Sequence, residues 1–404
     1  MKYVVILGDG MADYPDRCKD GLSPLELAKK PNIDQLCAYS EMGLCQTIPN
    51  NMKPGSDVAN LSVLGYDPQK FYSGRSPLEA ASIGIDLKDT DITARANLVT
   101  LSDEDVFEDK TIVDYSAGEI STEEAKELIE YLAKHLNDNK NKLYAGISYR
   151  HCLVIDKGVI AGDLTPPHDI TGKKIKQYLP TSEQGKMYLD LMKKSNQLLK
   201  DHPINLQRIK NGKNPANSLW FWGEGTKPSL KSFKEMFGLN GAMISAVDLL
   251  KGIGKLAKMQ VIEVEGATGN YDTNFIGKAN ACLKAFDEGL DFVYIHMEAP
   301  DECGHHGDEK NKIYSIEQID EKVVKTVVAG LKERGERFRM LICPDHPTPL
   351  CIKTHSSQPV PYIIYDSEKN YKGETESSYT EKLAKQTQNF VANGPELMQK
   401  LLQK

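Results

Sequence analysis

No stretch of this sequence approaches the roughly 20 consecutive apolar residues of a membrane span, so no membrane partner is expected. A basic surplus is also missing: 57 Asp and Glu outweigh 50 Lys and Arg, for a formal net charge of −7. That balance argues against nucleic acid, while leaving room for local arginine clusters that bind an anionic metabolite. The eight cysteines contain no Cys-x-x-Cys pair and no dense framework. They read as reduced thiols of a cytoplasmic protein, not as a disulfide scaffold or a paired-cysteine zinc site. The opening "MKYVVILGDGMADYP" has too short an apolar run for a signal peptide. No Gly-x-x-x-x-Gly-Lys-Ser/Thr loop or protein-kinase signature is present to cradle ATP. Internal repeats and low-complexity tracts are absent too.

What is present is a strand-and-helix alternation. The chain has 404 residues, 40% of them apolar, which is enough for one large domain with an insertion or for two domains. Lys2–Leu7, "KMQVIEVEG", "LDFVYIHMEAPD" and "RFRMLICPDH" are β-rich apolar runs that each stop at polar or ionisable residues. Helical patterns cover Gly241–Met259, Asn274–Asp287 and Ile316–Glu333, and "SPLELAKKPNIDQLCAYS" follows a Ser23 cap. This pattern predicts an α/β doubly wound sheet, with ligands beyond the carboxyl ends of its strands. A middle region, residues 91–178, carries "ITARANLVTL", a helix at Thr122–His135, "KLYAGISYRHCLVI" and a turn-rich close. It reads as an α+β unit inserted into a core made of residues 1–90 and 179–404. The helix Ser182–Leu199 then leads back to "SLWFWG" as a core strand.

The strand ends hold the chemistry. Asp9 closes the first run, Asp301 and His305 follow "FVYIHMEAP", Asp345 and His346 follow "MLIC", and His355 comes soon after. Carboxylate plus imidazole is a ligand set for divalent first-row metals. Singly, each has a plain alternative as a turn or solvated residue. Cys303 and Cys343 read as packing residues, and mid-strand His296 as a satisfied core histidine. Three strand ends carrying such groups in a fold that converges them point to a metal site. In "PGSDVANLSVLGYDP", Ser56 stands at a helix start, where it is either an N-cap or a nucleophile activated by metal.

The motifs "VVILGDGMAD", "PGSDVANLSVLGYDP", "RSPLEAAS", "ARANLVT", "SYRHCLV", "NPANSLWFWGEG", "EAPDECGHHGD" and "CPDHPTP" run in order to about residue 365. In these the chain resembles the alkaline phosphatase superfamily, and more closely the archaeal-type branch of cofactor-independent phosphoglycerate mutases. The resemblance implies an alkaline-phosphatase-like core with an inserted lid domain. It implies two divalent ions, one on Asp301, His305 and His355, the other on Asp9, Ser56, Asp345 and His346. Manganese or magnesium suits the carboxylate-rich ligands best, with zinc or cobalt also used in the family. The family spacing Asp-x-x-x-His favours His305 over His306.

The implied reaction is the interconversion of 3-phosphoglycerate and 2-phosphoglycerate in glycolysis and gluconeogenesis, through a phosphoserine at Ser56 and with no 2,3-bisphosphoglycerate. A lid that excludes water and holds the glycerate would then separate mutase from phosphatase. The inserted region offers Arg95, Arg150 and His151 for that work, with Arg75 and Lys213 as further candidates. His168 in "TPPHD" is family-like without an assigned role, and "GEG" at Gly223–Gly225 reads as a turn. The competing activities are a metal-dependent phosphomonoesterase, another phosphomutase of the superfamily, and homoserine-kinase-type chemistry. The oligomeric state is not readable from the sequence.

Overall fold

The computed structural model describes residues 1–369 and 378–403. It divides into two compact units, residues 1–72 with 229–404, and residues 73–228. The strands are β1 (Lys2–Gly8) and β2 (Ser40–Cys45) in the first unit. The second unit holds β3 (Ile92–Leu101), β4 (Ile112–Asp114), β5 (Asn141–Ile147), β6 (Arg150–Ile155) and β7 (Ser218–Thr226). The chain then returns to the first unit with β8 (Gly241–Ile244), β9 (Gln260–Ile262), β10 (Phe292–Met297), β11 (Phe338–Cys343), β12 (Val360–Asp366) and β13 (Phe390–Val391).

The first unit is a mixed sheet in the order β13-β2-β12-β11-β1-β10-β8-β9. Its centre is parallel: β1 pairs with β10 and β11, and β10 pairs with β8. β12 runs antiparallel beside β11 and β2. A parallel strand covered on both faces carries no polar face, which explains the unbroken apolar runs of β1, β10 and β11. Val4 and Ile6 pack with the helices Phe275–Asp287 and Lys325–Glu333. Alternate residues reach the opposite face, where the Tyr294 hydroxyl meets the helix Ser56–Val63 through Asn60. Local signals set the helix starts. Asn274 accepts from Gly277 N–H at 2.8 Å, and Ser23 forms a capping box with Glu26.

Two expected elements change here. Gly241–Met259 is not one helix: Gly241–Ile244 is β8, and the helix is Asp248–Leu256. A four-residue buried strand has no periodicity of its own to set it apart from the helix that follows. Ile316–Glu333 is helical throughout, but Ile319–Val324 winds as a π-helix. From that stretch Asp320 accepts from Ile33 N–H and Asn32 Nδ2, both at 2.7 Å.

The second unit is antiparallel. β3 pairs with β4, β6 and β7, and β5 pairs with β6. The helices Thr122–Leu136 and Gly185–Leu199 pack with its hydrophobic cluster, which gives it an α+β character. The unit spans residues 73–228 instead of the expected 91–178. "SLWFWG" belongs to this sheet and not to that of the first unit, because it lies beside β3 with Trp222 opposite Arg95. Apolarity and aromatic content say that a strand is buried, but not which sheet buries it. No helix among the described residues is long and apolar enough to cross a membrane.

Candidate metal centre and nucleophile

Parallel pairing brings the carboxyl ends of β1, β10 and β11 to one edge of the sheet. Asp9 follows β1 directly, Asp301 lies in the helix Ala299–His306 after β10, and Asp345 stands just past β11. All three are buried. The approach is close at Gly10, whose φ is +59°: a Cβ there would lie 2.5 Å from Asp301 Oδ1 and 2.6 Å from Thr348 Oγ1. Glycine meets both the left-handed backbone and the lack of space.

Ligand atoms of Asp9, Asp345 and His346 lie within 4.8 Å of one another, as do those of Asp301, His346 and His355. His305 completes the second set, with Nε2 3.2 Å from Asp301 Oδ2 and 3.0 Å from His355 Nε2. His306 is exposed, so the structure brings His305 into the cluster and leaves its neighbour out. Ser56 Oγ stands 3.1 Å from His346 Nε2, across 290 residues of sequence. It is the first residue of its helix, the N-cap is Gly55, and no side chain caps the helix. The capping alternative for Ser56 therefore fails, and its hydroxyl is left to the cluster.

The electrostatics fit a cation. Burial, followed by the charges of Asp345, Glu298 and Asp301, raises the Asp9 carboxyl well above the usual range. Asp9 Oδ1 is buried without a hydrogen-bond partner. Such an orphaned carboxylate oxygen is costly unless a positive charge meets it. Burial lowers the His305 imidazole, but the Asp301 hydrogen bond and charge outweigh it and push His305 up to about 9. Burial raises Asp301, yet His305 and His355 bring it well below its ordinary value. The proton on His305 thus supplies positive charge that an ion would otherwise bring. His346 is lowered by burial, which favours the neutral, ligating form. Cys303 and Cys343 are buried and join no candidate metal group among the described residues.

Comparison with known proteins shows the family of the chain. A 2,3-bisphosphoglycerate-independent phosphoglycerate mutase from Methanosarcina barkeri is 50% identical over 370 residues, 91% of each chain. A probable enzyme of that name from Geobacter sulfurreducens is 45% identical over all 404 residues and covers 100% of both chains. The family described as 2,3-bisphosphoglycerate-independent phosphoglycerate mutase matches residues 38–205. This chain belongs to that family. Among solved structures, the PH0037 protein from Pyrococcus horikoshii superposes with a TM-score of 0.81 at 29% identity, covering 100% of this chain and 96% of that one. The cofactor-independent phosphoglycerate mutase from Thermoplasma acidophilum shares the fold, with a TM-score of 0.62 at 24% identity, covering 100% of this chain and 99% of that one.

In this member of the mutase family, the second unit gathers its own cationic cluster. Arg95 lies on β3, all ten residues of which are buried. Its Nε lies 3.0 Å from Glu79 Oε2 and its guanidinium 4.4 Å from the Trp222 ring. Arg75 Nε donates to Glu79 Oε1 at 2.9 Å. Burial alone would raise Glu79, but Arg95 and then Arg75 bring it below its usual value. Arg150 and His151 follow on β6, opposite Asn97 and Ala96. Arg150 Nε and His151 Nε2 are buried without partners. Burial, then Arg150 and Arg95, pushes His151 down to about 3. His168 joins at 5.0 Å from the Trp222 ring. Lys213 is exposed and lies beyond the Ser218 end of β7, so the fold does not bring it to Arg95.

Several positioning residues carry no signal of their own in the sequence. Asn60 Nδ2 donates to Asp345 Oδ2 and to the Ser56 carbonyl, each at 2.9 Å. Thr348 Oγ1 donates to Asp301 Oδ1. Buried Lys312 donates to the carbonyls of Ala12 and Thr348 and to Asp13 Oδ2, which ties the loop after β1 to the loop after His346. Only Asn60 had a usable cue, since its i+4 spacing from Ser56 puts the two on one helix face. Glu79 was equally silent in "RSPLEAAS".

Proposed function

We propose that the protein interconverts 3-phosphoglycerate and 2-phosphoglycerate through a phosphoserine at Ser56, without 2,3-bisphosphoglycerate. The observation that carries this reading is the uncapped Ser56 hydroxyl, 3.1 Å from His346 Nε2 amid buried carboxylates. Asp301, His305 and His355 would hold one divalent ion, and Asp9, Ser56, Asp345 and His346 the other. Such ions, manganese or magnesium by the oxygen-rich donor set, lower the hydroxyl pKa and offset phosphoryl charge. Ser56 Oγ would attack phosphorus as its proton passes to the departing glycerate oxygen, whose P–O bond breaks, and the other glycerate hydroxyl would later attack the phosphoserine, giving its proton to Ser56 Oγ as that P–O bond breaks.

That second transfer requires the glycerate to stay bound while water is kept away, or the outcome is hydrolysis. We assign this work to the second unit as a lid, with Arg95, Arg150, His151 and Arg75 engaging the carboxylate and phosphate of a small-molecule substrate. Two buried nitrogens without partners, Arg150 Nε and His151 Nε2, support the assignment. Lys213 takes no part. The reaction belongs to glycolysis and gluconeogenesis, and we place it in the cytoplasm, in keeping with eight free cysteines.

The test is manganese-loaded protein with 3-phosphoglycerate, coupled to enolase. Formation of 2-phosphoglycerate with no added bisphosphoglycerate is expected. Inorganic phosphate appearing without 2-phosphoglycerate would leave a phosphatase instead.

A further inference from the structure

His296 reads from the sequence as a core histidine satisfied by its surroundings, and the structure shows what satisfies it. The residue sits in β10 opposite Leu7 of β1, fully buried. Its Nε2 lies 2.8 Å from Asp9 Oδ2. Its Nδ1 lies 3.2 Å from Ser245 Oγ, and that oxygen already accepts from Val247 N–H at 3.0 Å. The serine hydrogen is therefore free to point at Nδ1, which places the ring proton on Nε2, aimed at Asp9. Buried Lys278 donates to the His296 carbonyl at 3.0 Å, so the backbone beneath the ring is also held.

The three carboxylates of the centre each have such a partner. Asp345 Oδ1 accepts from Gly10 and His346 N–H, and Asp345 Oδ2 from Asn60. Asp301 accepts from Thr348. For Asp9 the donor is His296, and it leaves Oδ1 as the oxygen without a partner, 3.6 Å from His346 Nε2.

We propose that His296 is a positioning residue for the metal centre, donating through Nε2 to Asp9 Oδ2 so that Oδ1 is presented to the ion shared with Asp345 and His346. This rests on the two-ion reading above. The same neighbourhood has a rival use, because ligand atoms of Asp9, His296 and Glu298 also lie within 4.8 Å of one another. A third cation there would have to replace the His296–Asp9 hydrogen bond. It would also lie near the buried Lys278 ammonium, on which the Glu298 charge acts. The hydrogen-bonded chain Ser245–His296–Asp9 is the better account. Donors that orient ligating carboxylates in this way are worth ~10–100-fold in metal affinity.

The experiment is calorimetric titration of the chelator-stripped full chain with manganese, alongside His296→Leu, His296→Gln and Ser245→Ala. Wild type is expected to take two ions per chain. His296→Leu should weaken one ion by ~10–100-fold and leave the other unchanged. His296→Gln, whose amide N–H reaches the same oxygen, should recover most of the loss. Ser245→Ala, which frees only the tautomer, should weaken the same ion by less and keeps the test open if the leucine variant does not fold. Equal losses in the leucine and glutamine variants would overturn the hydrogen-bond role, and so would wild-type affinity in the leucine variant. Three ions in wild type, with the third lost in His296→Leu, would make the group a cation site instead. A wild-type chain that takes no manganese would overturn the two-ion reading as well, which separates the two failures.

Discussion

Buried His151 should make the second unit acid-labile in a way that one substitution removes. In the folded chain its imidazole is pushed down to about 3 from an ordinary 6.5, first by burial and then by Arg150 and Arg95. The unfolded chain takes up the proton near 6.5, and the folded chain resists it until far lower pH. Unfolded protein therefore binds more protons between those limits, and stability falls as pH falls through 6.5, levelling off below about 3. At about pH 4.5 the two pH units below 6.5, at about 1.36 kcal/mol each, amount to about 3 kcal/mol. The site is fully buried, so solvent screening takes little from that figure.

His151→Asn keeps an acceptor for the Gly146 N–H, which donates to Nδ1 at 3.1 Å in the native chain, and removes the titration. Both tryptophans, Trp220 and Trp222, lie on β7 in the second unit, so urea unfolding followed by their fluorescence reports on this unit. Between about pH 7.5 and about pH 4.5, wild type should lose about 3 kcal/mol more than the variant. Parallel losses in the two proteins would refute the reasoning and mean that the imidazole is protonated, or solvated, in the fold.

Three further outcomes are expected. Ser56→Ala should abolish turnover while changing stability by less than ~0.5 kcal/mol, because the hydroxyl caps nothing; wild-type turnover in that variant would remove the nucleophile. Glu79→Ala should destabilise the second unit by ~3–5 kcal/mol, since it leaves Arg95 buried and unpaired. A loss under ~1 kcal/mol in tryptophan-detected unfolding would show the pair to be solvated. Manganese at about a hundred times its dissociation constant should stabilise the first unit by ~2.7 kcal/mol, and a chelator should reverse this. A melting temperature indifferent to both would contradict the metal centre.

The ligand types were legible because strand and ligand coincide in this fold. Buried β-runs announce themselves by composition, and in "GDG", "EAPDECGHH" and "CPDHP" the polar residues follow immediately. Periodicity worked where a helix had a cap and an amphipathic face, as at Thr122–Leu136 with its Ser121 cap. It failed where burial was complete on both faces. β8 merged into a helix, and β7 was assigned to the wrong sheet. Those errors share a cause: a strand covered on both sides gives no sign of its partners.

By itself the sequence determined which chemistry is available: carboxylates, imidazoles and one serine, placed where strands end. Tertiary structure alone decided what each group does. Ser56 reads in the sequence as either a cap or a nucleophile, and the cap fails only in the fold, where Gly55 takes that position and the hydroxyl stands 3.1 Å from His346. His296 looks like filler until it is found 2.8 Å from Asp9. Arg95 gives no sign in the sequence of its ion pair with Glu79 or its contact with the Trp222 ring. Propensity and periodicity act over a few residues, whereas hydrogen bonds and Coulomb forces depend on distance in space, and only the folded chain sets that distance.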